Sequence, residues 1–124
     1  MPIRTGIDVT SIDRIDQLLA EYGTHFKRRF FNLAEIDYCE ARKRSAQSYA
    51  GIWAAKEATF KVLGRGKRWH DITIKHESNG RHIIDVSPEL LKLPVHSIPP
   101  TASWDCSISH DAGVAIASAV CCWT

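Results

Sequence analysis

The stretch WAAKEATFKVLG, residues 53–64, reads as a helix and carries chemistry on one side of it. Glu57, Lys61 and Gly64 recur at i, i+4 and i+7, the spacing that places residues on one helix face. A carboxylate, an ammonium and a helix-ending glycine therefore line up. Ala54, Ala55, Ala58 and Val62 point largely elsewhere, and such small residues let a helix lie close against a sheet. The plain alternative is a Glu57–Lys61 surface pair contributing about 0.2–0.5 kcal/mol. The Gly-Arg-Gly-Lys run at 64–67 favours more than that. Glycine lets backbone amides approach an anion that neighbouring cations also attract.

A second carboxylate stands at Asp8, between Ile7 and Val9 near the end of an N-terminal strand. An acid there is expected to be paired or solvated. A strand-end Asp with a mid-helix Glu suits Mg²⁺, which takes one or two carboxylates and completes its shell with water and substrate phosphates. The competing role for Asp8 is helix capping together with Thr10 and Ser11. A third group is Cys106-Ser107-Ile108-Ser109-His110-Asp111. Ser, His and Asp adjacent along one hairpin cannot converge as a hydrolytic triad. His110 reads as a ligand for phosphate or an adenine edge, or as a turn residue.

The elements that must hold these residues follow from periodicity and punctuation. Residues 2–9 have strand character. Ile12, Ile15, Leu18 and Leu19 then recur at helical spacing behind the cap candidates Thr10 and Ser11, and Gly23 stops that helix. Residues 25–31 suggest one helical turn. Asn32 with Glu35 forms a capping box for a helix to about residue 42, and Ser45 caps the helix ending at Gly64 or Gly66. Beyond Trp69 the period falls to two. Residues 71–75 and 82–86 are strands joined by a two-residue Asn79-Gly80 turn. Ser87-Pro88 opens a short turn or helix, and Pro94, Pro99 and Pro100 enforce a loop. Residues 104–108 and 114–120 are the last strands, joined through 109–113. The expected class is α+β: one domain over 1–124, with helices packed on a mainly antiparallel sheet.

Composition limits the partners. The 124 residues carry a net charge of +2, too small to argue for nucleic acid, with 44% hydrophobic and 24% charged residues as in ordinary globular domains. Basic residues nonetheless cluster at 27–29, 42–44 and 65–68, which suits phosphates or an acidic protein surface. Cys39, Cys106, Cys121 and Cys122 form no C-x-x-C pair and no zinc spacing with the histidines, so reduced thiols are expected. The N-terminal residues lack the apolar run of a signal peptide, and no stretch is long enough to span a membrane. The expectation is a cytoplasmic protein with no membrane partner.

Taken together, GIDVTSIDRI (6–15), WAAKEATFKVLG (53–64), DITIKHESNGR (71–81) and SISHDAGVAIASAV (107–120) resemble the 4′-phosphopantetheinyl transferases, specifically the short holo-acyl-carrier-protein synthase type. The blocks fall in the family's order and span almost the whole chain. The resemblance implies Mg²⁺-dependent transfer of 4′-phosphopantetheine from coenzyme A to a serine of an acidic acyl carrier protein, releasing 3′,5′-ADP. It implies Asp8, Glu57 and Lys61 as catalytic residues, with Asp8 and Glu57 holding the metal. Deprotonation of the carrier's serine is left to Glu57 or a metal-held water. Coenzyme A contacts are implied at Lys56, Lys61, Gly64, Gly66 and His110, and carrier contacts at Arg14 and Arg28. It further implies a homotrimer with sites between subunits, in which His110 serves a neighbour. A module that binds coenzyme A or a nucleotide without transferring anything is the alternative. Two departures from the family stand out: the proline-rich 87–101 segment, and His82 where a proline is common.

Overall fold

The computed structural model describes residues 1–64, 67–93 and 97–124. Strand β1 (Ile3–Ser11) leads into four helices: α1 (Ile12–Tyr22), α2 (Thr24–Phe30), α3 (Leu33–Glu40) and α4 (Ser45–Leu63). A 3-10 turn (Trp69–Asp71) follows, then β2 (Ile72–His76), β3 (His82–Val86), α5 (Pro88–Leu91), β4 (Ser103–Asp111) and β5 (Val114–Cys122). One sheet is antiparallel in the order β1-β5-β4, and β2-β3 form a separate hairpin. The structure is α+β, as expected.

The packing turns on small residues. On β5, Ala115, Ala117, Ala119 and Cys121 are fully buried, and on α4 so are Ala50, Ala54, Ala55 and Ala58. Small side chains on both surfaces bring the helix axis close to the sheet. A close approach falls at Gly6, where a Cβ would clash with the Ala58 carbonyl oxygen. Only glycine fits there. Gly51 makes a second approach, since a Cβ there would come within 3.0 Å of His110 Nε2 and of the Ile108 side chain.

Strand β1 inverts the usual pattern. Gly6 and Thr10 are buried on the side facing α4, while Ile3, Ile7 and Val9 are 60–64% exposed on the outer face. The β1–β5 register adds the partly exposed Ile116 and Val120 to that face. Helix α2 docks through aromatic rings: Phe26 stacks on Trp53 at 5.7 Å between centroids, Phe30 meets Trp53 edge-on at 5.0 Å, and Trp53 lies 4.4 Å from Trp69. Each such pair contributes about 0.5–1.5 kcal/mol beyond its buried area.

Several local expectations change. Residues 24–30 form a full two-turn helix rather than one turn, because the aromatic contacts anchor Phe26 and Phe30 together. Ser11 caps α1 by accepting from the Arg14 amide. Ser45 is helical rather than the cap; Arg44 holds that position with no side-chain bond. The β2–β3 connection spans residues 77–81 instead of two residues. The Glu77 amide donates to the Arg81 carbonyl oxygen, and Asn79 Oδ1 accepts from the Arg81 amide. At the other hairpin the turn is tighter than expected. Strand β4 runs to Asp111, leaving Ala112 (φ 49°) and Gly113 (φ 80°) as a two-residue turn. His110 is therefore a strand residue. In the proline-rich segment, Ser87 caps α5 with Pro88 in its first turn, and Pro94 lies outside the described residues.

Candidate active site

Gly6 sets the site. Because β1 touches α4 there, Asp8, two residues further along the same strand face, comes beside the polar side of the helix. Asp8 and Glu57 line one cleft of about 420 Å³ with Thr10, Ser11, Arg14, Ile15 and Trp53. Asp8 is 16% exposed and Glu57 15%, so both carboxylates sit in a recess but remain reachable.

Each acid meets a lysine. Lys61 donates to the Ile7 carbonyl oxygen at 2.7 Å and stands 3.7 Å from Asp8 Oδ1, while the Thr10 hydroxyl donates to Asp8 Oδ2 at 2.6 Å. Lys67 donates to both oxygens of Glu57, at 3.0 and 3.2 Å. The simple Glu57–Lys61 surface pair is thus not what forms: Lys61 turns to the strand, and Glu57 takes a partner from beyond the helix. Nor does Asp8 cap a helix, since Ser11 does so.

The donor set fits a hard divalent cation. Two carboxylates converge on one cleft, and no group of three or more His, Cys, Asp or Glu side chains suited to a metal occurs among the described residues. Two protein oxygens with open positions for water and phosphate is the arrangement Mg²⁺ favours over a closed protein cage. Gly64 ends α4 at φ 95°, donating its N–H to the Phe60 carbonyl oxygen. Gly66 lies outside the described residues.

Lys56 departs from expectation. Its ammonium has no exposed surface; it donates to Glu35 Oε1 at 2.7 Å and to the Phe30 carbonyl oxygen at 3.0 Å. Burial drives its pKa below the usual lysine range, and the Glu35 carboxylate pushes back upward. Glu35 is equally buried and also accepts from the Asn32 and Ile74 amides. This pair ties α2, α3, α4 and β2 together and leaves Lys56 no surface to offer coenzyme A.

His110 lies in a different cleft, with Tyr38, Arg42, Gln47, Gly51 and His82 among its neighbours, sharing no lining residue with the Asp8–Glu57 cleft. Its Nε2 is 3.2 Å from the Gln47 carbonyl oxygen. Close by, the His76 ring stacks on Tyr38 at 3.5 Å, with its Nε2 buried and without a hydrogen-bond partner among the described residues. Burial first, then the charges of His82 and Arg42, pushes the His76 pKa down to about 4.

Arg14 borders both the carboxylate cleft and an adjoining apolar cleft lined by Leu18, Tyr22, Phe26, Phe30 and Trp53. The basic residue of α2 that joins it there is Arg29; Arg28 is exposed on the helix but does not line the cleft. Sequence reasoning missed Glu35 as the partner of Lys56 and Lys67 as that of Glu57, and within the basic run 27–29 it singled out Arg28 rather than Arg29. Only Lys67 carried a signal, through its place in the Gly-Arg-Gly-Lys run.

A model of the 4′-phosphopantetheinyl transferase superfamily matches residues 4–119, and the chain belongs to that family. It is 39% identical to a holo-[acyl-carrier-protein] synthase of Sulfurovum sp. (strain NBC37-1) and 36% identical to that of Geobacter sulfurreducens, in each case over 94% of both chains. Among solved structures it resembles Helicobacter pylori holo-[acyl-carrier-protein] synthase in complex with coenzyme A. That match has a TM-score of 0.81 and 35% identity, and covers 95% of this chain and 99% of that one.

Proposed function

We propose that the chain is a holo-[acyl-carrier-protein] synthase, a single transferase domain over 1–124. It moves 4′-phosphopantetheine from coenzyme A to a serine of an apo acyl carrier protein. What supports this reading most is the meeting of Asp8 and Glu57 in one cleft beside Lys61, in a chain of this family.

In the reaction the serine hydroxyl oxygen bonds to the phosphorus that carries pantetheine. The bridging P–O bond breaks, 3′,5′-ADP departs, and the serine proton leaves to Glu57 or to water. Asp8 and Glu57 are the residues that would hold Mg²⁺. When bound, the cation neutralises pyrophosphate charge. Lys61, anchored on the Ile7 carbonyl beside Asp8, offsets charge growing on the departing oxygen. Gly64 frees the end of α4 to approach the donor. The nucleophile arrives with the carrier, so the chain needs none of its own.

The carrier docks along α1 and α2, where Arg14 borders the cleft and Arg28 and Arg29 extend a basic rim for an acidic partner. The outer face of β1 and β5, with Ile3, Ile7, Val9, Ile116 and Val120 exposed, packs against other copies of the chain in a homotrimer. Its assembly brings His110, which lines a different cleft from Asp8 and Glu57, to a neighbour's coenzyme A. No helix among the described residues is long and apolar enough to cross a membrane. All four cysteines are free, and burial raises Cys39 and Cys106 to about 12 and Cys121 to about 11. Free thiols suit a reducing cytoplasm.

The test is the intact mass of an apo carrier incubated with the chain, coenzyme A and Mg²⁺, beside a carrier lacking its serine. A gain of one phosphopantetheine, absent from the serine-less carrier, is expected. Coenzyme A binding with no gain on any carrier would instead mark a binding module. Sedimentation of Ile7→Lys should show the trimer dissociated.

A further inference from the structure

Both oxygens of Glu57 are engaged by one ammonium, that of Lys67, while the neighbouring Asp8 keeps Oδ1 at an open 3.7 Å from Lys61. A divalent cation held by the two acids would meet the Lys67 ammonium at Glu57, so the two positive charges compete for one carboxylate. The two lysines are held differently. Lys61 has a 2.7 Å bond to a main-chain carbonyl besides its acid, whereas the hydrogen bonds of the Lys67 ammonium among the described residues go to the Glu57 carboxylate. Lys67 is also 57% exposed, and its compact, hydrated charge rides on a flexible stem. It sits three residues past Gly64, bonded to a carboxylate that lines the cleft.

The geometry points to Lys67 as an exchangeable cation of the reaction, an inference that rests on the transferase reading. In the free enzyme it neutralises Glu57. When the divalent cation takes the carboxylate, Lys67 passes to a non-bridging oxygen of the donor's pyrophosphate. No covalent bond is made or broken in this exchange; one ion pair replaces another. The consequence is coupling. Lys67 opposes metal binding to the empty site and favours metal and coenzyme A together, and this linkage is reciprocal. The site then stays charge-balanced whether empty or loaded, and resists taking up metal without donor.

The experiment measures free Mn²⁺ by electron paramagnetic resonance during titration of the full chain, with and without coenzyme A. No carrier is present, so no transfer occurs. Lys67→Met is compared with wild type and with Arg68→Gln, which removes the same charge one residue along but from a side chain paired with Asp71. In Lys67→Met, Mn²⁺ alone should bind about threefold tighter, the scale of an exposed ion pair. Coenzyme A in saturating Mn²⁺ should bind about tenfold weaker or more, the scale of one hydrogen bond to a charged group. Arg68→Gln should change neither. Unchanged Mn²⁺ affinity in Lys67→Met would overturn the competition, and unchanged coenzyme A affinity would overturn the transfer to phosphate. Equal effects from Arg68→Gln would reduce both to general charge and overturn the proposal. Wild type that binds no Mn²⁺ under any condition would remove the metal reading itself, and this inference with it.

Discussion

Lys56 and Glu57 are neighbours in sequence, about 100° apart around one helix, and each is ion-paired. Their pairs differ in almost every other respect. Lys56 meets Glu35 with both side chains fully buried, and further backbone partners complete the network. Glu57 meets Lys67 at the rim of an open cleft, with the lysine more than half exposed. The first pair has nowhere to go: opening it would strand a charge in the core. The second can exchange its partner for another cation at little cost. One helix thus fixes its orientation with one residue and leaves the next, to which the proposed reaction assigns the metal, lining the cleft that Asp8 shares.

The largest effect is expected at the buried pair. Lys56→Met should destabilise the fold by about 3–5 kcal/mol, because Glu35 is left buried and unpaired; denaturant unfolding measures it. The open pair should behave oppositely. Glu57→Gln should unfold at the wild-type midpoint yet lose transfer by about 10²-fold or more in kcat/KM, the scale of losing a charge-stabilising group at the reacting centre. A strongly lowered midpoint in that variant would mean the two pairs are not separable.

This contrast also marks what the sequence could reveal. The i, i+4, i+7 pattern is enough to find Glu57, Lys61 and Gly64 on one face, and the alanines on the other. Asp8 stands out as an acid between two β-branched residues. The role of Lys56 is hidden, because its partner Glu35 lies 21 residues away and only tertiary packing brings a carboxylate to an otherwise apolar position. Glu35 itself looks like a cap residue, which it also is. The need for Gly6 is equally hidden: a glycine in a strand signals a close approach without saying to what. His110 reads as a turn residue because the Ser-His-Asp run is polar, whereas the positive φ values of Ala112 and Gly113 let the strand continue. Alternation along β1 does not tell which face is buried, and it is Gly6 and Thr10 that face α4 while Ile3, Ile7 and Val9 are exposed.

Smaller effects are expected at the periphery. Arg14→Ala should raise the KM for the carrier by up to about tenfold while leaving that for coenzyme A unchanged, as for a rim charge that steers a partner. Equal rises in both would put Arg14 on the donor. The smallest effect concerns pH. His76 titrates near 4 in the fold against 6.5 ordinarily, so the unfolded chain binds more protons between those values. The contribution is complete above about 6.5 and is lost as pH falls towards 4, at most on the order of 1 kcal/mol after solvent screening. His76→Phe keeps the ring on Tyr38 and should flatten this part of the stability–pH curve.

The decisive measurement compares wild type and Glu57→Gln by intact mass of the carrier after incubation with coenzyme A and Mg²⁺, with EDTA as a control. Full phosphopantetheine gain is predicted with wild type, none with EDTA, and almost none with a folded Glu57→Gln. Near-normal gain by Glu57→Gln, or undiminished gain in EDTA, would contradict the carboxylate pair as the metal–phosphate site.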